Sequence, residues 1–210
     1  MAEGDLFEGR TAPLFLTHDP LTAGDLESVR RLMEGRRFDE SLILGAGARC
    51  RFGGVRVLVC APVAGRTPEE LRPFPTTFWL LCPWLVRRAG ALESEGGVRR
   101  LEAWLSARDP EGWRAYNRLH QRLRLELLTP EVRALLRRDR PELLAGVMGG
   151  GVGGIRLTPE VRVKCLHLQA ASWLALGHHP AGEWLREVGL DGDCGGERLS
   201  ERDKGGTNDG

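Results

Sequence analysis

Long hydrophobic runs are missing from this sequence. No window approaches the roughly 18 uninterrupted apolar residues that a membrane-crossing helix needs, so no membrane partner is expected. An excess of one charge is missing too. Thirty basic residues stand against twenty-nine acidic ones, a net charge of +1. A field that weak does not draw nucleic acid or an anionic surface from a distance, and any such partner would have to meet a local patch. Close cysteine pairs are also absent. Cys50, Cys60, Cys82, Cys165 and Cys194 are odd in number and widely spread, which argues against a disulfide framework and against the usual paired spacing of a structural zinc site. Lysine is scarce beside arginine, the mark of a GC-rich genome, so part of the arginine count carries no functional message. The opening Met1-Ala2-Glu3-Gly4-Asp5 is acidic where a secretory signal is basic, and a cytoplasmic location is expected.

What is present suffices for one good core. With 210 residues, 41% of them hydrophobic, two full domains would be cramped. The expected architecture is α+β, a small antiparallel β-sheet packed against a mainly helical C-terminal two-thirds. The expected order is an irregular arm over 1–20, a single domain over 21–188 and a disordered tail over 189–210, where apolar periodicity ceases.

Local signals mark the elements. Thr22 or Asp25 caps a helix carrying Leu26, Val29, Leu32 and Met33, which Gly35 ends. Two β-rich runs, one through Leu42-Ile43-Leu44 and one over Val55–Cys60, flank Gly53-Gly54 as a hairpin. In Phe74-Pro75-Thr76-Thr77-Phe78-Trp79-Leu80-Leu81-Cys82-Pro83, aromatic and β-branched residues favour a strand as far as Leu81. Pro83 then opens a helix and puts Cys82 at its N-cap. Residues 98–144 read as a charged helical hairpin over the sheet, with Thr129-Pro130-Glu131 starting its second part. The glycine run 149–154 lacks the lysine and hydroxyl of a phosphate loop and reads as a flexible connection, with Arg156 beyond it positioned to meet an anion. A last, buried helix is expected from Thr158-Pro159-Glu160 through Cys165 and His167 to Leu176. His18 and His120 read as surface residues, and His178-His179 as the turn ending that helix.

The chemistry gathers on thiols and imidazoles. Cys82 at a helix N-terminus faces unpaired amides and the positive end of the dipole, which favours thiolate, so it is either a nucleophile or ligand or else a buried strand-end residue. Cys165 and His167 are two apart. On a regular helix they would diverge by about 200°, so either each has its own partner or the turn is irregular and both reach one ion. Cys50, Cys82, Cys165 and His167 together would suit zinc or an iron–sulfur cluster.

Three phrases of this sequence, Arg49-Cys50, Phe74–Pro83 and Val163-Lys164-Cys165-Leu166-His167, resemble the bacterial domain-of-unknown-function family five hundred and one. Gly35-Arg36, Leu92-Glu93, Gly153-Gly154 and Pro180-x-Gly182 share in the resemblance, which spans about 25–185. Arg51 and His178-His179 depart from the family pattern. The resemblance implies that Cys50, Cys82, Cys165 and His167 are the characteristic positions, that Cys60 and Cys194 are incidental, and that the four form a shared site. No activity comes with it. The leading expectation is a metal- or cluster-binding protein using those four, with Arg49 and Lys164 as cations for a small anionic ligand or substrate. A metal-free cysteine enzyme with Cys82 as nucleophile and His167 as base stands second, and a protein-docking module built on 98–144 stands third.

Overall fold

The computed structural model describes Leu16, residues 18–36 and residues 38–192. Helix α1 (Ala23–Met33) begins in a capping box. Thr22 Oγ1 accepts from the Asp25 amide while Asp25 returns a carboxylate to the Thr22 amide. Strands β1 (Ile43–Arg49) and β2 (Val55–Cys60) form the expected antiparallel hairpin. Gly53, at φ +83°, makes the turn that a side chain would strain, and Cys50 N–H closes it on Gly54 O at 2.9 Å. A two-stranded ribbon, β3 (Val63–Ala64) with β4 (Arg72–Pro73), precedes β5 (Phe78–Leu80), which pairs with β2 and completes a sheet of order β1-β2-β5.

The sheet is apolar on both faces because β2 is: Val57, Leu58 and Val59 have no exposed surface. Val59 and Val57 face the large core. There they meet helix α2 (Pro83–Ser94), helix α3 (Gly97–Arg108), helix α4 (Pro110–Glu126) and helix α7 (Leu166–Leu176). Leu58 and Cys60 face α1 in a smaller core with Val29 and Met33. A third cluster joins Val63 and Leu71 to helix α5 (Pro130–Asp139) and helix α6 (Pro141–Gly149). The region expected as one hairpin is therefore four helices, α3 to α6, broken where Pro110, Pro130 and Pro141 each start a new one.

Three further expectations are corrected. The final long helix starts at Leu166, not near Thr158. Val161 and Val163 are buried between exposed Glu160, Arg162 and Lys164, a period of two that holds this stretch extended, and Val163 N–H is taken by Glu102 Oε1 at 2.8 Å. The glycine run is packed rather than loose: Gly150, Gly151, Val152 and Gly153 are buried, and Asn117 Oδ1 accepts the Val152 amide at 2.9 Å. The folded part also extends past 188. After helix α8 (Gly182–Glu187), Leu190 is fully buried in the large core, and Arg56 Nη2 donates to the carbonyls of Asp191 and Gly192 at 2.9 and 2.8 Å.

Candidate metal centre

The last turn of α2 meets the first turn of α7, and small Ala89, wholly buried between them, allows a close approach. Cys165 is the N-cap of α7, with an extended backbone (φ −163°, ψ 160°), and His167 is the second residue of the helix. Because Cys165 is not helical, the two side chains no longer diverge. Of the two arrangements open from spacing alone, both on separate partners or both toward one point, the structure takes the second. Glu93 of α2 completes the group. Among the described residues, the atoms of Glu93, Cys165 and His167 that could ligate a metal all lie within 4.8 Å of one another.

Hydrogen bonds orient two of the three. Glu93 Oε1 accepts from the Leu166 amide at 2.5 Å and, at the edge of bonding distance, from the His167 amide at 3.4 Å. The carboxylate so caps α7, where the dipole favours an anion. The His167 ring lies between Glu93 Oε1, 3.0 Å from Nδ1, and the Val86 carbonyl, 3.1 Å from Nε2. A carbonyl oxygen only accepts, so Nε2 carries a proton and Nδ1 is the nitrogen turned toward the carboxylate. Glu93 and His167 are about a quarter and a third exposed. Burial pushes the Cys165 thiol up, and the Glu93 charge adds to that; the Leu168 and His167 amides and Lys164 oppose it.

The other expected site residues lie elsewhere. Cys50 sits in the β1–β2 turn, and Cys82 is the buried N-cap of α2, its amide on Arg56 O at 3.2 Å; neither belongs to the group of Glu93, Cys165 and His167, so the four-residue set is not what the structure gathers. Arg49 is engaged by Asp25 through two bonds of 2.9 Å, and Lys164 Nζ donates to Gly153 O at 3.1 Å. Burial drives the Cys60 thiol up to about 12, as fits a packing residue, and Cys194 lies outside the described residues. Glu93 was reachable only through the Leu92-Glu93 phrase of the resemblance. A carboxylate on a charged helix, 72 positions before Cys165, gives no signal of its own.

A second polar group lies under α4. His120 is 1% exposed, not on the surface, and His179 is 8% exposed. Both rings pack on Tyr116, with centroids at 4.9 and 4.7 Å, and exposed His178 approaches the same ring at 5.6 Å. The Ala181 amide donates to His179 Nδ1 at 2.9 Å, so Nε2 carries the proton that bonds Gln169 Oε1 at 3.0 Å. Burial pulls both imidazoles down to about 3. The Arg124 and His178 charges add to this for His120, and those of His120 and His178 for His179.

Residues 46–187 match the family described as Protein of unknown function (DUF501). No curated protein and no solved structure matches the chain.

Proposed function

Since the chain belongs to the DUF501 family, which is uncharacterised, function rests on the site itself, and we propose that it binds one zinc-type divalent ion through Glu93, Cys165 and His167. One observation carries this reading. With Nε2 on Val86 O, His167 Nδ1 and Glu93 Oε1 stand 3.0 Å apart, so either a proton, in an imidazolium–carboxylate pair, or a metal cation lies between them, and the Cys165 sulfur within 4.8 Å of both favours the metal. A zinc ion supplies the cation, and the bond from Nε2–H to Val86 O is the kind of outer contact that fixes the tautomer of a ligating histidine. Metal–ligand bonds of about 2.0–2.3 Å place tetrahedral ligand atoms roughly 3.3–3.7 Å apart, inside the 4.8 Å within which the three ligand atoms lie.

A thiolate, an imidazole and a carboxylate form the mixed donor set that leaves a fourth position to water or substrate, with catalysis on a small anionic substrate as its natural use. Lys164, beside Cys165, would have to turn from its bond to Gly153 O to meet such a substrate. An iron–sulfur cluster fits less well, since it is ordinarily held by three or four thiolates. A metal-free cysteine enzyme loses its base, because both ring nitrogens of His167 are engaged and neither bond goes to a thiol.

Elemental analysis of the purified protein tests this, together with cobalt titration of metal-stripped protein. About one equivalent of zinc is expected, with tetrahedral cobalt bands and a thiolate charge-transfer band that Cys165→Ser removes. Glu93→Gln keeps an oxygen to cap α7 and should weaken binding about tenfold or more. A wild-type protein that carries no metal and gives no cobalt spectrum refutes the proposal.

A further inference from the structure

Between the end of α1 and the start of α2 the surface opens into a cleft of about 190 Å³. Leu32 and Met33 of α1, Trp79 of β5, and Pro83 and Val86 of α2 supply its apolar wall, and Arg36 and Arg87 belong to the same lining. Glu93, Cys165 and His167 do not line it, so the cleft is separate from the metal centre.

The wall is set before any ligand arrives. The Trp79 ring packs on Phe38, 5.1 Å away and tilted, and on Phe74, 5.9 Å away and nearly parallel at 13°. Met33 is buried in the smaller core, and the Val86 carbonyl is held 3.1 Å from the His167 ring. A preformed apolar surface open to solvent favours a ligand body that covers it, because little order has to be created on binding.

Charge selects the other half of that ligand. The lining carries two arginines and no carboxylate, in a chain whose net charge is only +1. Arg36 is exposed, and its guanidinium has no hydrogen-bond or ion-pair partner among the described residues. The N-cap of α2, Cys82, makes no side-chain cap bond, so the positive end of that helix beside Pro83 adds to the field. Size narrows the choice further. The volume is below the about 300–1,000 Å³ of pockets for drug-sized ligands, too little for a nucleotide. We propose that this cleft binds a small carboxylate carried on a ring-sized apolar body, an arylalkanoate, with the ring against Trp79 and Val86 and the carboxylate at Arg36 and Arg87. The planar guanidinium fork matches a carboxylate through two parallel bonds.

Calorimetric titration with phenylacetate at constant ionic strength tests this, with phenylacetamide, its uncharged isostere, and inorganic phosphate as controls. Wild-type protein should bind phenylacetate saturably, with a dissociation constant of about 1 mM or tighter. Phenylacetamide should bind about tenfold more weakly, and phosphate, which has the charge without the body, should not displace phenylacetate. Arg36→Gln should weaken binding about tenfold, and Arg36→Gln with Arg87→Gln should abolish it. Both arginines are exposed, so these changes leave the fold intact. Arg156→Gln with Arg162→Gln, in a different surface depression, should leave binding unchanged. No saturable binding by the wild type, equal affinity for the amide, displacement by phosphate, undiminished affinity in the Arg36/Arg87 variant, or loss of binding in the Arg156/Arg162 variant each overturns the proposal.

Discussion

Acid should weaken this fold well above the range in which carboxylates titrate, and the cause is the imidazole pair beside Tyr116. An unfolded histidine takes its proton near pH 6.5, whereas His120 and His179 stay neutral in the fold down to about pH 3. A depressed histidine contributes stability that is present above the unfolded value and lost as pH falls below it. Between pH 6.5 and pH 3 the unfolded chain holds up to two more protons than the native one, so stability falls with each unit of acid. At pH 5 each histidine accounts for a loss of about 2 kcal/mol, and the pair for about 4 kcal/mol, against native stabilities of about 5–15 kcal/mol. Of the groups facing the pair, Arg124 is cationic, the His178 charge opposes a further proton, and Gln169 and Tyr116 are neutral at these pH values; none compensates a new charge. Asp25 is held low chiefly by its hydrogen bonds to Arg49 and has the same sign, but its loss comes below about pH 4, outside the interval from pH 7.5 to pH 5. Urea unfolding at pH 7.5 and pH 5.0 in phosphate-free buffer measures the effect. His120→Phe keeps the ring contacts to Phe78 and Tyr116 and breaks no hydrogen bond, so it should roughly halve the pH dependence. Equal stability at the two pH values, or the same slope in His120→Phe, would refute the reasoning.

Other expectations follow from single contacts. Leu190→Ala should cost about 2–5 kcal/mol by opening a void beside α8, and truncation after Val188 should lower the melting temperature sharply. Truncation after Gly192 should leave it near the wild-type value, and equal melting of the two truncations would contradict the assignment of Leu190 to the core. Thr22→Ala should cost about 1 kcal/mol in chemical denaturation through loss of the α1 cap, and no change would mean the box contributes nothing in solution.

What could be read from residues alone was whatever short-range chemistry decides. The Thr22 cap, the Gly53 turn, Pro83 opening α2 and Thr129-Pro130 opening α5 involve neighbours a few positions apart, and each stands in the structure. Thr158-Pro159-Glu160 offers the same local signal without a helix, because burial of Val161 and Val163 prevails over it. His120 shares its helical face with Tyr116 and Leu123, so the helical spacing points to burial even though histidine is more often a surface residue. In the candidate site, Cys165 and His167 could be singled out from one phrase. Their partner could not, since Glu93 reaches them only through the packing of α2 on α7. Cys50 and Cys82 sit at well-marked local positions, a turn and a cap, yet local position says nothing of which segments meet.

The bonds from Arg56 to Asp191 and Gly192 have a consequence for biogenesis. They tie the central strand to the end of the described chain across some 135 positions. A ribosome-bound chain therefore holds β2 long before its last partners exist. The large core lacks Leu190, and the Arg56 guanidinium lacks its carbonyls, until translation has passed residue 192 and that segment has cleared the exit tunnel. Such long-range closure slows folding, so the large core should close only once residues 190–192 are free to return to β2.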